Sequence, residues 1–201
     1  MDPGESVAVQ KLALRDQLLT ARRRIPLTAL VEDANAVAEH LLATDELRRA
    51  ATVAAYVSVS HEPGTGPLVE RLHEAGRRVL LPALMPDGDL DWAAYTGADA
   101  LVSARRGLLE PAGPRLGADA VRTVDVVLCP ALAVDRSGLR LGRGGGSYDR
   151  VLARLPEHVF VCALVYDEEL LDRVPHDEHD RRVDAAVSPE RGVTRFRRAP
   201  A

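Results

Sequence analysis

The residues of this chain best placed to do chemistry lie between Leu139 and Leu152, in the run Leu-Arg-Leu-Gly-Arg-Gly-Gly-Gly-Ser-Tyr-Asp-Arg-Val-Leu. Gly144, Gly145 and Gly146 stand in a row behind Gly142 and Arg143, where an apolar strand gives way to a helix. Glycine reaches backbone angles that a β-carbon forbids, so such a run can turn its N–H groups inward as an anion cradle. The helix expected over Ser147 to Leu155, with Val151, Leu152 and Leu155 on one face, adds unpaired N–H groups and a positive dipole end. A nucleotide phosphate suits that arrangement. The glycines alone would serve equally as a plain turn. They form neither a Walker A loop, since no Lys-Ser/Thr follows, nor a Rossmann fingerprint, since they come late in the chain. Arg140, Arg143 and Asp149 favour the phosphate: two cations to face its oxygens, and a carboxylate able to hold magnesium through water.

A second feature is a count. Of the 26 basic residues, 25 are arginine and one is lysine, Lys11. A chain rich in Ala, Arg, Gly and Pro is what a GC-rich coding bias produces, with arginine replacing lysine wherever either will do. Lysine kept at one place points to a site that needs a compact point charge rather than a guanidinium fork. The alternative is an ordinary exposed helix lysine.

These residues must be positioned by regular elements. Leu12, Leu14, Leu18 and Leu19 recur near helical spacing, and Pro26 interrupts before a second amphipathic stretch, Leu27 to Leu42. Thr52 to Val59 is a short apolar run, the pattern of a strand buried on both faces. Pro67 to Ala75 reads as helix, Arg77 to Pro82 as a second strand, Asp87-Gly-Asp as a turn, and Leu90 to Tyr95 as a third strand. After a polar, proline-rich passage, Val124 to Val134 is another buried strand leading to the glycine loop. Strands over His158–Val165 and Val183–Val187 complete the pattern. Alternating strands and helices imply an α/β domain with a largely parallel sheet. We expect one domain over 1–201, with a helical segment 5–50, an α/β core 51–190 and a loose tail 191–201.

Composition narrows the class. The 201 residues are ample for a real core, and no apolar run approaches the length needed to cross a bilayer. Met1 to Ser6 lacks a signal-peptide layout, so a soluble, cytoplasmic protein without membrane partners is expected. The net charge of −4 argues against nucleic acid as a partner. The basic runs Arg22–Arg24 and Arg195–Arg198 read as a solvated helix end and a free terminus. Cys129 and Cys162, each inside an apolar run, read as buried, reduced thiols.

Four segments carry the candidate chemistry: Lys11-x-x-Leu14-Arg15, His61-Glu-Pro-Gly-Thr65, Leu139 to Arg150, and His179-Asp180-Arg-Arg-Val-Asp184. In this order they resemble the 5-formyltetrahydrofolate cyclo-ligase family, also called 5,10-methenyltetrahydrofolate synthetase, over about residues 10 to 187. That family has K-x-x-L-R near its start and Ser-x-x-x-Glu-x-x-Thr after its first strand. Later come R-L-G-x-G-x-G, an aromatic, Tyr-Asp, and a terminal H-D or N-D followed by V/L-D. The resemblance implies a three-layer α/β sandwich of the NagB/RpiA/CoA transferase-like type and a monomer. It implies a reaction in which ATP and 5-formyltetrahydrofolate, with magnesium, give 5,10-methenyltetrahydrofolate, ADP and phosphate.

Carried over by motif, Lys11, Arg15 and the loop Arg140, Leu141, Gly142, Arg143, Gly144, Gly145, Gly146, Ser147 and Tyr148 would bind ATP. Asp149 and Asp180 match the magnesium-associated carboxylates. Val57, Glu62, Arg143, Gly144 to Gly146 and Ser147 match positions that meet the folate, and Trp92 matches a large residue lining the pterin side. Lys11, Arg143 and Glu62 would be catalytic. The chain departs from the pattern at Ser147, where the family usually has a first aromatic, and has Gly145 where some members carry lysine.

The residues support such a reaction without a protein nucleophile. Phosphorylating the formyl oxygen makes it a leaving group, and N10 then closes the ring, which needs positioning and charge neutralisation. Glu62 would orient the pterin by accepting its N–H groups. His176 and His179 suggest a transition-metal pair, but no further ligand cluster accompanies them, and a solvated loop fits better. Asp167-Glu168-Glu169 reads as the acidic start of a helix. Two other classes remain: a sugar-phosphate isomerase or acyl-CoA transferase of the same architecture, and a folate- or RNA-associated binding module without turnover.

Overall fold

The computed structural model describes residues 6–178 and 180–196. Helix α1 (Val7–Arg22) is capped by the Ser6 hydroxyl, which accepts from the Val9 amide. Pro26, with its fixed φ, stands at the start of α2 (Leu27–Leu42). A five-residue α3 (Asp45–Arg49) leads into β1 (Thr52–Ala54), which is shorter than its apolar run because the chain leaves the ladder after Ala54. There follow α4 (Gly66–Glu74), β2 (Arg78–Leu84) and β3 (Leu90–Ala94). The proline-rich passage then folds into an unforeseen hairpin of β4 (Leu101–Ser103) and β5 (Leu109–Pro111).

The strand expected over Val124–Val134 is two. β6 (Val126–Pro130) stays in the main sheet, while β7 (Ala133–Asp135) turns away to pair with β8 (Arg140–Leu141). Pro130 has no N–H to extend the ladder, and the Ala131 carbonyl is instead taken by Arg22 Nη2 at 2.6 Å. After α5 (Ser147–Arg154) come β9 (Phe160–Leu164), β10 (Leu170–Leu171), which pairs with β7, β11 (Ala185–Ser188) and β12 (Gly192–Arg195).

Seven strands form the main sheet in the order β12-β11-β9-β6-β1-β2-β3. The middle five are parallel, with β3 and β12 antiparallel at the edges. The parallel strands are mostly apolar because both faces are covered. On one side α2 and α4 press Val37, Leu41, Leu68 and Leu72 onto the sheet; on the other lie Val151 and Leu152 of α5 with Val121 and Val124. The chain winds from β1 outwards to β2 on one side and to β6 on the other. In such sheets ligands sit at the carboxyl ends of the strands flanking that switch, here β1 and β6.

Three expectations about surface groups are corrected. The tail is not loose throughout: β12 pairs with β11, Val193 packs against the core, and Arg195 donates to both oxygens of Glu46 at 2.6 and 2.8 Å. Residues 197–201 lie outside the described part. Arg22 is not solvated but buried, donating to Glu169 Oε1 at 2.6 Å and Oε2 at 2.8 Å. Asp167–Glu169 form a single 3-10 turn rather than a helix start. Their acids are used inward, Glu169 on Arg22 and the Tyr166 amide, Asp167 on Ser188 and the amides of Glu190 and Arg191. Cys129 and Cys162 are free and buried, and burial pushes the Cys129 thiol up to about 11. No described helix is long and apolar enough to cross a membrane.

Candidate active site

The carboxyl ends of β1 and β6 gather most of the residues singled out by sequence. Beyond β1 the chain makes a braced loop. The amides of Ser58 and Thr65 each donate to the other's hydroxyl, at 2.9 and 3.1 Å, and the Thr65 hydroxyl donates to the Tyr56 carbonyl at 2.6 Å. Within it Ser60 adopts a left-handed φ of 54°, and the Val59 amide donates to Glu62 Oε2 at 3.0 Å. The carboxylate of Glu62 is thereby fixed and buried, with Oε1 held 3.0 Å from Arg143 Nε. Val57 sits half-buried at the edge of the core beside it.

The glycine loop faces this brace. Gly144 and Gly146 take φ of 94° and 70°, angles at which a side chain would be strained, and no side chain caps the first turn of α5. The α5 amides at that end are left for a ligand or water. From α1, Arg15 reaches over: its Nε donates to the Gly142 carbonyl at 2.9 Å, and its guanidinium carbon would lie 3.3 Å from a β-carbon at Gly144. At the other end the Ser147 hydroxyl and Arg150 Nη2 both donate to the Gly88 carbonyl, at 2.6 and 2.5 Å. The loop is thus tied to the β2–β3 turn.

Lys11 is no ordinary surface lysine. It is 8% exposed, and its Nζ donates to Asp180 Oδ2 at 2.6 Å and Asp177 Oδ2 at 2.7 Å. Burial alone would lower its pKa, but the two acids outweigh burial and raise it. Burial likewise would raise the Asp180 carboxyl, yet Lys11 and the Asp177 amide hold it below the usual range. Arg143 is half-exposed and turned to the brace.

Several expected ligand contacts do not reach the surface. Trp92 is 0% exposed, packed among Leu80, Val121 and Val127 beneath the sheet, so it lines no pterin face in this structure. The period-two alternation of its edge strand turns it to the apolar side. Leu141 is buried below α1 with Leu14 and Leu18, leaving only its backbone near the loop. Arg140 is 4% exposed and reaches under the loop to Asp149 Oδ1 at 2.7 Å, stacked 5.9 Å from the Tyr148 ring. It therefore acts here as a support for Asp149 and the helix start rather than a guanidinium presented to solvent. The Tyr148 ring packs against the core, and burial raises its hydroxyl well above the usual value. His179 lies outside the described residues.

Asp149 and Asp180 both lie near Arg140, which helps lower the Asp180 carboxyl. Each commits one oxygen to its cation, and the other takes no hydrogen bond among the described residues. Among the described residues no three His, Cys, Asp and Glu side chains gather into a metal-binding group. Two separate carboxylates suit magnesium, which takes one or two and fills its octahedron with water and substrate phosphate. Sequence reasoning missed Asp177 and the Gly88 carbonyl that Ser147 and Arg150 share. The first was hidden in a polar run, and the second carries no type signal, since a carbonyl belongs to every residue.

The fold is that of an α/β protein with a doubly wound sheet, and the candidate site lies at the carboxyl edge where ligands sit in such sheets. A sequence model of the 5-formyltetrahydrofolate cyclo-ligase family matches residues 7–189, and the chain belongs to that family. The family's reaction is the ATP-dependent conversion of 5-formyltetrahydrofolate to 5,10-methenyltetrahydrofolate. A 5-formyltetrahydrofolate cyclo-ligase of Mycolicibacterium smegmatis is 42% identical over 192 residues, covering 93% of this chain and 97% of its own. The Escherichia coli protein of that name is 35% identical over 143 residues, covering 70% of this chain and 79% of its own. Among solved structures, the 5,10-methenyltetrahydrofolate synthetase of Aquifex aeolicus has a TM-score of 0.81 at 26% identity, over 95% of both chains.

Proposed function

We propose that this chain closes 5-formyltetrahydrofolate to its methenyl form by carrying ATP phosphates on the glycine loop and the folate against Glu62. The observation that carries the reading is the left-handed loop set between Arg15 and the uncapped start of α5. In this reading the α5 amides and the cations Lys11, Arg15 and Arg143 neutralise the triphosphate. Glu62, fixed by the Val59 amide, accepts from the pterin N–H groups. Arg143, bonded to Glu62 at 3.0 Å, brings the transferred phosphoryl group and the formyl oxygen to one place. The formyl oxygen attacks the γ-phosphorus and ADP leaves. N10 then attacks the formyl carbon and gives up its proton to water, and the oxygen departs as phosphate.

Asp149 and Asp180 would hold magnesium, which when bound supplies charge neutralisation to the phosphate oxygens. Arg140 fixes Asp149, so it shapes that position without touching the substrate.

Absorbance of the methenyl product tests the reading. Conversion of 5-formyltetrahydrofolate is expected only with ATP and magnesium together. Equal conversion without nucleotide would sink it, and so would nucleotide binding without any turnover.

A further inference from the structure

Two carboxylates hold Lys11, and they differ in their surroundings. Asp180 is mostly covered, and its Oδ2 also accepts the Asp177 amide at 2.7 Å, so it is fixed. The Asp177 side chain is 53% exposed and has no other hydrogen bond among the described residues. To the ammonium of Lys11, a carboxylate oxygen at 2.7 Å offers what a phosphate oxygen would: an anionic acceptor at charge-assisted hydrogen-bond distance. Between them the two acids occupy two of the three N–H directions of a group that is itself 8% exposed, which leaves little of it open to a ligand.

We propose that Asp177 is an internal competitor for the nucleotide phosphate on Lys11, holding the ammonium in the free protein and swinging into solvent when ATP arrives, so that it sets the affinity for ATP. This rests on the reading of Lys11 as a phosphate-binding residue. Asp177 rather than Asp180 is the group that yields, because water already reaches its carboxylate and its release desolvates nothing. Asp180 would lose both the lysine and an amide. The competitor has a use in the free protein. A covered ammonium with only one partner is penalised by burial, and a second carboxylate keeps it charged and in place until phosphate replaces it.

The test is calorimetric titration of ATP with magnesium onto the whole chain, with steady-state kinetics alongside, for Asp177→Asn, Lys11→Ala and the double variant. Asp177→Asn is expected to tighten ATP binding by about two- to fivefold, the range of a half-exposed ion pair, and to leave the KM for 5-formyltetrahydrofolate unchanged. In the Lys11→Ala background the same change should have no effect, which separates competition at Lys11 from a general loss of negative charge. A folded Asp177→Asn protein that binds ATP no more tightly than the parent overturns the proposal. Equal tightening with and without Lys11 overturns it too. If Lys11→Ala alone leaves ATP binding unchanged, it is the phosphate role of Lys11 that fails, and the competitor with it.

Discussion

Arg143 Nε and Glu62 Oε1 lie 3.0 Å apart, so an ion pair joins the glycine loop to the braced loop after β1. A cation assigned to phosphate and an acid assigned to pterin are thus in contact before either ligand binds. Positioning one positions the other.

Glu62→Gln removes the charge but keeps an oxygen for the Val59 amide, so the fold should survive. A lost hydrogen bond to a charged group is worth about 1.5–3 kcal/mol, or about one to two decades in kcat/KM for 5-formyltetrahydrofolate. ATP binding, read by calorimetry, should change far less. Equal losses on both substrates would make Glu62 a brace only.

Ser147 stands where the family usually has an aromatic ring, and its hydroxyl ties α5 to the Gly88 carbonyl at 2.6 Å. Ser147→Ala should raise the KM for ATP about two- to tenfold, the range of one hydrogen bond, with kcat nearly kept. Ser147→Thr should restore it. Steady-state kinetics with thermal melts will show whether the hydroxyl is used for positioning; unaltered kinetics in the alanine variant would mean that Arg150 alone suffices.

Arg22 and Glu169 form a buried pair far from solvent. Glu169→Gln or Arg22→Met should cost about 3–5 kcal/mol in urea unfolding, because each leaves its partner's charge buried and uncompensated. Replacing both by apolar residues should recover most of that loss. Additive losses in the double variant would show that the two charges do not depend on each other.

Asp167 titrates against the turn between β11 and β12. Burial alone would raise its carboxyl, but the Ser188 hydroxyl and the amides of Glu190 and Arg191 outweigh burial and hold it below the ordinary value of 3.8. A carboxyl depressed on folding adds stability that is complete above that value and is lost as pH falls below it. Asp167→Asn should therefore flatten the acid limb of a stability–pH curve and lower the plateau near neutrality. A parallel curve, merely displaced, would show that the charge of Asp167 contributes nothing.

Much of the architecture was legible because parallel strands write themselves as short apolar runs and helices as spaced leucines; α2 matches its predicted bounds. The glycine loop was legible because left-handed angles demand a residue type. What stayed hidden depends on contacts between distant segments. No local pattern in Arg22-Arg-Arg24 tells that only the first is buried, since its partner is 147 positions away. Trp92 was misplaced for the same reason: the family resemblance put it on the pterin side, while the side of the strand it occupies is decided by what covers the sheet. Lys11 was singled out by scarcity and by its spacing from Arg15, but only three-dimensional structure brings it against Asp177 and Asp180.

Helix α1 makes polar contacts with segments far along the chain: Ala131, Gly142, Glu169, Asp177 and Asp180. During synthesis this helix emerges before every one of those partners and must wait for them. Until residue 169 has been made, Arg22 lacks its carboxylate partner, and until residue 177 Lys11 lacks both of its acids. Closing so long a loop is entropically expensive, so α1 should dock last, onto a sheet already formed. Lys11, Arg15 and Arg143 are therefore brought to one place only after residues 142, 177 and 180 have been made. A nascent fragment that stops short of residue 142 carries the lysine and arginine of α1 without the glycine loop, and so holds no half-built phosphate site able to engage ATP.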